Sequence, residues 1–206
     1  MSNLGLVDKI YLYGAGGHAK VVKEIIELNG GSVGAFVVDV QYKSEHQGIP
    51  VLDSAAGLSP MIVAIGDNSV RKAIAERLSC GFAVAVHPSA VVSPAAVIGE
   101  GSVIMPGAIV NAGAVIGRHC IVNTGASVGH DCVLDDFSHV APHSTLCGNV
   151  HLGEGVWIGA GAVVIQNLTV GEWSVVGAGA VVINDVAEHE KVVGVPATSI
   201  CHSSKK

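Results

Sequence analysis

The sequence predicts two domains of different class: an α/β domain over residues 1–85, and an all-β parallel β-helix with a short tail over residues 86–206. Three observations carry this reading. Every sixth residue from Val86 to Val182 is Val, Ile or Leu, seventeen in succession without a gap. The residue two places before each of these is mostly small, as in Ala90, Ala96, Ser102, Ala108, Ala114 and Cys120. The stretch before Val86 lacks that period and alternates short apolar runs with helical patterns.

Lys9–Tyr13 reads as a strand that feeds the turn Gly14-Ala15-Gly16-Gly17-His18. A helix follows to about Leu28, because Val21, Val22, Ile25, Ile26 and Leu28 fall on one helical face. Ser32–Val38 is a second strand ending at Asp39, and Met61–Ile65 is a third. The segment Gly66-Asp67-Asn68 then opens a helix over Ser69–Leu78, and Phe82–Val86 is a further strand leading into the first hexad. This alternation predicts a small parallel sheet of the Rossmann-like, mononucleotide-binding kind. The glycine turn sits where a strand feeds a helix, and backbone N–H groups there can hold phosphate oxygens with help from the helix dipole. A ligand-free strand–helix turn uses the same glycines, so the turn alone leaves both readings open. Asp39 is placed for a ribose or base. The turn is not a full G-x-G-x-x-G, which argues against NAD.

In the second half, alternating bulky and small residues suit a narrow tube whose aliphatic corners fill the lumen. Glycine often follows the aliphatic (Gly99, Gly117, Gly129, Gly153), and a tight corner that favours a residue without Cβ is the expected reason. In hexapeptide-repeat proteins three hexads close one triangular coil. The tube is a scaffold, so chemistry must come from residues that the scaffold does not require. The richest stretch is Asn123-Thr124-Gly125-Ala126-Ser127-Val128-Gly129-His130-Asp131-Cys132, with Phe137-Ser138-His139-Val140 after it. His130 is the third residue of its hexad, near a corner. Three hexads on stands Gly148, which leaves a bare backbone N–H beside the imidazole. A general base next to an uncovered N–H donor is the pairing acyl transfer needs. Ala160 and Ala178, separated by the same step, leave a smooth groove for a long thin ligand.

These residues resemble the bacterial nucleotide-sugar acetyltransferases of the PglD/NeuD type. The match rests on Asn-Thr-x-x-x-Val-x-His-Asp-Cys with Phe-Ser-His-Val, on the opening Tyr-Gly-Ala-Gly-Gly-His, and on the closing Val-x-Gly-Val-Pro-Ala from Val192 to Ala197. It covers nearly the whole chain. The resemblance implies a left-handed β-helix, against the usual right-handed crossover, and a C3 homotrimer with acetyl-CoA between neighbouring prisms. It implies that His130 is the general base, oriented by Asp131, and that Gly148 supplies the oxyanion N–H. Asn123 and His139 are expected to contact acetyl-CoA or the acceptor, and Gly159, Ala160, Gly177 and Ala178 to line the pantetheine groove. In the N-terminal domain, Gly14, Gly16, Gly17 and His18 are expected to meet the phosphates, Asp39 the nucleoside, and Gly66, Asp67, Asn68 and Arg71 to complete the pocket. Relatives often carry Asp-Asp where this chain has Asp39-Val40, and often Glu where it has Asp131. The implied activity is N-acetylation of a nucleotide-linked, UDP-type 4-amino-4,6-dideoxy sugar for bacterial glycan synthesis. O-acetylation of a sialic-acid-like sugar is the alternative, and a non-catalytic nucleotide-binding β-helix is a third reading.

Composition narrows the remaining classes. A net charge of −6 argues against nucleic acid as the main partner. Asp8 and Lys9 interrupt the N-terminus before any long apolar stretch, so no signal peptide is expected. The apolar runs are too short and glycine-rich for a membrane span, and a cytoplasmic protein is expected. Five cysteines, Cys201 among them, show no C-x-x-C spacing and read as reduced thiols. Cys120 and Cys132 fall on small lumen positions. The ten histidines form no compact cluster with cysteine at ligand spacing, so no metal is expected. His119, His143 and His151 read as exposed coil residues, His87 as a junction residue, and Trp157 and Trp173 as cover for a subunit interface or coil end.

Overall fold

The register of three hexads per coil is visible in the strand pairing of the computed structural model, which describes residues 9–40 and 43–200. Cys201 lies outside the described residues. Ile109 pairs in parallel with Val91 below and Ser127 above, Val115 with Val97 and Val133, and Ile121 with Val103 and His139. The two-residue strands sort into three sheets, one for each side of a triangular prism. The first face runs from Val91–Val92 to Val181–Val182, and the second from Val97–Ile98 to Thr169–Val170. The third starts at Ala85–Val86 and ends with Lys191–Val193 and the antiparallel Thr198–Ser199. The hexad aliphatics point inward, and from Ile104 to Val182 all are buried together with Ala108, Ala114, Cys120, Ala126 and Cys132.

The corners correct one expectation. Every sixth residue from Gly101 to Gly179 has φ between +54° and +75°, including His119, Asp131, Phe137, His143, Asn149, Asn167 and Trp173. The left-handed position is therefore the fourth of the hexad, one strand-to-strand corner after another. The glycines that directly follow the aliphatics do not turn the chain. A Cβ on Gly99 would come within 2.6 Å of the Gly117 backbone, and one on Gly129 equally close to Cys147. Those glycines let one coil lie on the next.

The N-terminal domain packs on the third face. Its sheet has β1 (Ile10–Tyr13) flanked in parallel by β5 (Met61–Val63) at one edge and by the central strand β2 (Val33–Val37). Beyond β2 lie β4 (Ile49–Leu52) and the edge strand β3 (Glu45–His46), a hairpin that the pattern does not show because its apolar run is short and holds Pro50. Helix α1 (Gly17–Leu28) buries Ala19, Val22, Ile25 and Ile26 against the sheet. Helix α2 (Asn68–Arg77) starts at the Asp67 cap, whose carboxylate accepts from the Val70 N–H. Leu12, Phe36 and Ile62 share one core with Ala85, Val103 and Met105 of the β-helix, so no solvent layer separates the domains.

One buried cation fastens this junction. Arg71 is 1 % exposed, and all five of its donors are used. Nε donates to the His119 carbonyl, one terminal nitrogen to the Ile65 and Gly66 carbonyls, and the other to Asn68 Oδ1 and the Phe137 carbonyl. Asn68 continues the seam by donating to the Gly155 and Val156 carbonyls. Beside it His119 is buried, not exposed as the coil pattern suggests. Phe82 meets its ring edge-on at 4.5 Å and Phe137 stacks on it at 5.2 Å. Both ring nitrogens lack partners, and burial, with Arg118 and Arg71 nearby, pushes its pKa down to about 4. His143 and His151 are exposed.

Replacing Arg71 with Ala strips donors from buried carbonyls at roughly 1–3 kcal/mol each, so urea unfolding at pH 7 should show a loss of about 3 kcal/mol or more. Because His119 is held neutral in the fold, the unfolded chain takes up its proton first as pH falls from about 6.5 towards 4. Stability contributed at neutral pH is therefore lost across that window. His119→Phe should flatten the fall in Tm between pH 7 and pH 4, and an unchanged slope would contradict the assignment.

Candidate active site

His130 and Asp131 are neighbours in sequence, and on a strand their side chains would diverge. They sit instead on a corner. Asp131 has φ of +59°, which brings its carboxylate round to the same side as the imidazole. His130 Nδ1 lies 2.8 Å from Asp131 Oδ2, and both side chains are about two-thirds exposed. The carboxylate selects the tautomer with the proton on Nδ1 and leaves Nε2 as the basic nitrogen. Nε2 lies where a Cβ of Gly148 would be, one coil further on. Among the described residues, the Gly148 N–H meets no acceptor within the chain, while its carbonyl receives the Asn167 N–H. A basic nitrogen thus sits beside an uncommitted backbone donor.

Asn123 and His139 are also brought together, on the third face and its following corner. Asn123 Nδ2 lies 3.0 Å from His139 Nε2, and the His139 ring stacks on Trp157 at 5.1 Å. His139 is buried, its Nδ1 has no partner, and burial, Arg71 and His18 together push its pKa down to about 4. His18 is itself held neutral, with its pKa lowered to about 4 by burial and Arg71, and its Nε2 is unpartnered.

The turn that carries His18 is open. Nothing lies within 4 Å of where Cβ atoms on Gly16 and Gly17 would be. Gly14 has φ of +104° and faces Ile65 and the Ala64 carbonyl at a separation no side chain would fit. Helix α1 has no acidic residue in its first turn, so its N-terminus keeps a favourable field for an anion. Asp39 accepts a hydrogen bond from Tyr13 at 2.7 Å and pairs with Arg77, and these two hold its carboxyl below the usual range. Sequence reasoning misses Tyr13 and Arg77, which stand 26 and 38 residues from Asp39.

Other expected pocket residues have structural work. Asp67 caps α2, and the donors of Asn68 and Arg71 are committed to carbonyls and to one another at the domain seam. The Gly66 carbonyl accepts from Arg71. Ala160 and Ala178 are exposed at successive coils, whereas Gly159 and Gly177 lie beneath the next coil, at Ala178 and Val193. Cys132 fills the lumen, and its Sγ donates to the Cys147 carbonyl. No group of three or more His, Cys, Asp or Glu able to hold a metal ion occurs among the described residues. A cleft of about 680 Å³ along α2 is lined by Glu100, Arg118 and Asp136, on the corner between the second and third faces and away from His130.

The family descriptions "PglD N-terminal domain" and "Bacterial transferase hexapeptide (six repeats)" match residues 9–78 and residues 95–130 with 149–184. The chain is 43% identical over 109 residues to the UDP-N-acetylbacillosamine N-acetyltransferase of Bacillus subtilis, a match that takes in 47% of this chain and 50% of that protein. It thus spans about half the length of that curated relative. The structure of PerB from Caulobacter crescentus in complex with CoA and GDP-perosamine is 40% identical, with a TM-score of 0.89 over 95% of this chain and 98% of that one. The acetyltransferase domain of PglB from Neisseria gonorrhoeae FA1090 in complex with acetyl coenzyme A is 41% identical, with a TM-score of 0.88 over 95% of this chain and 100% of that one. With the hexad prism, the glycine turn and the His130 corner in place, the chain belongs to the PglD-type nucleotide-sugar N-acetyltransferases of the hexapeptide-repeat, left-handed β-helix family.

Proposed function

We propose that the chain transfers the acetyl group of acetyl-CoA to the amino group of a nucleotide-linked 4-amino-4,6-dideoxy sugar, with UDP as the carrier, in cytoplasmic synthesis of a bacterial glycan. The observation that carries this reading is the His130–Asp131 pair set against the free N–H of Gly148. The relatives supply the chemical context: one is named for a UDP-linked sugar, one was solved with CoA and GDP-perosamine, and one with acetyl coenzyme A.

In this mechanism His130 Nε2 accepts a proton from the sugar amine as its nitrogen bonds to the thioester carbon. The Gly148 N–H donates to the oxygen on which negative charge collects. Collapse breaks the carbon–sulfur bond, and His130 returns the proton to the departing thiolate, so the products are the amide and free CoA. Asp131 keeps the proton on Nδ1 and stabilises the imidazolium between those steps. Cys132 is too deeply buried to carry an acetyl group. Ala160 and Ala178 offer a groove without side-chain obstruction for the pantetheine arm. Asn123 and His139, paired with one another, are assigned to contact with acetyl-CoA or the acceptor. On the N-terminal domain, Gly14, Gly16, Gly17 and His18 receive the phosphates. Asp39, held by Tyr13 and Arg77, receives the nucleoside.

The assembly proposed is a C3 homotrimer, with acetyl-CoA lying between adjacent prisms. The third face is covered by the chain's own N-terminal domain at its early coils, around Val103 and Met105, although Trp157 further along it is 38 % exposed. The first two faces are not covered: Val91 and Ile109 on one, and Val97, Val115 and Val133 on the other, are 38–65 % exposed. Apolar ladders of this kind on a soluble prism mark contact surfaces.

Thioester consumption measured across UDP-, dTDP- and GDP-linked amino sugars should single out one acceptor. His130→Ala should lower kcat on it by about 10²–10⁴-fold, the usual weight of a general base. Gly148→Ala, which places a Cβ in the space of Nε2, should do comparable damage; full activity in either variant would remove His130 from the chemistry. Light scattering should give three times the chain mass. Val115→Lys should shift the protein towards monomer with loss of activity, and a monomeric wild type would defeat the trimer.

A further inference from the structure

The left-handed corner residues stack in columns, one member from each coil, and four of the glycines among them, Gly101, Gly113, Gly125 and Gly155, share a feature that Gly107, Gly161 and Gly179 lack. A Cβ on Gly101 would overlap the ring of His119, one on Gly125 the ring of His143, and one on Gly155 the ring of Trp173. In each case the side chain of one coil lies flat on the bare Cα of the coil before it. Gly113 does the same for Asp131: its Cβ would overlap Oδ1. Where both members carry side chains, they stand against one another instead, as His119 does with Phe137 and Asn149 with Asn167.

We propose that Gly113 is a positioning residue for the His130–Asp131 pair, seating the Asp131 carboxylate where it meets the imidazole. The chain of contacts is continuous. The Asp131 N–H donates to the Ala112 carbonyl at 3.0 Å, which fixes the Asp131 backbone over Gly113. Oδ1 then rests on the Gly113 Cα while Oδ2 meets His130 Nδ1 at 2.8 Å. The side chain is two-thirds exposed, so this seat and the imidazole itself are what oppose its rotation into water. A methyl group at 113 would close the seat and displace the carboxylate rather than the coil, since Oδ1 is the far end of a short mobile side chain. The imidazole would then lose the acceptor that holds its proton on Nδ1. The inference rests on the proposed role of His130, and the experiment separates the two.

The first measurement is the His130 tautomer, read from its ring ¹⁵N shifts above pH 8. The second is turnover with acetyl-CoA and the acceptor singled out by the thioester assay. Wild type should show the Nδ1–H form. Gly113→Ala should shift His130 towards the Nε2–H form that free imidazole side chains prefer, and lower kcat about tenfold with the KM for acetyl-CoA unchanged. Gly113→Asn tolerates the left-handed backbone but still fills the seat, so it should behave like the Ala variant and set backbone strain aside. In an Asp131→Asn background, Gly113→Ala should add nothing further to either readout. An unchanged tautomer in Gly113→Ala, or an effect that persists in full without the carboxylate, would overturn the inference. A shifted tautomer with unchanged kcat would uphold the seat and overturn His130 as the base.

Discussion

The structure depends on one constraint, which is that each coil must lie directly on the coil before it. The strands of the prism are only two or three residues long and form no extended ladder of their own. Their backbone groups are satisfied by the neighbouring coil, as when Ile109 donates to Ala126 and Ser127 to Ser144. The rest follows from this contact. Aliphatic residues must meet their counterparts through the lumen, glycines must appear wherever backbones approach within van der Waals distance, and one residue in six must take a left-handed conformation. The same stacking brings His130 to Gly148 and Asp131 to Gly113, so the fold and the candidate site are consequences of one spacing.

The second dependence is at the domain seam. A buried guanidinium is costly unless every donor is met. Arg71 meets that condition with carbonyls from both domains, which ties the position of α2 to the third face of the prism. His18 and His139 come from different folds, and burial with Arg71 lowers the pKa of each. Burial there keeps three imidazoles neutral beside a fixed positive charge.

Much of this is legible in the sequence, and the exceptions are instructive. The hexad period announces the prism, and the step of three hexads announces the approach of Gly148 to His130. Period alone does not reveal backbone dihedrals, so it assigns the corners to the glycines after the aliphatics, whereas the chain turns two residues later. Whether His119 is exposed depends on Phe82 and α2 docking against it, a contact that no local pattern encodes. Arg71 follows a Gly-Asp-Asn turn and reads naturally as a phosphate ligand. Its actual acceptors include carbonyls 48 and 66 residues away. Tyr13 and Arg77 escape notice for the same reason: long-range pairs leave no trace in composition or spacing.

The register also sets what kind of length change the chain can absorb. Removing three consecutive hexads from the prism would shorten it by one layer and leave every later side chain on its original face. Removing a single hexad would preserve the repeat pattern and the lumen packing, yet rotate everything downstream by a third of a turn. Such a chain would look intact by composition and by period. Residues that had faced solvent would face the N-terminal domain, and the outward ladders would be scrambled. The hexad governs whether the tube can form, whereas phase within the three-hexad coil governs what the tube can do. Two proteins of this architecture can therefore share every hexad and still differ as much as two keys cut from one blank.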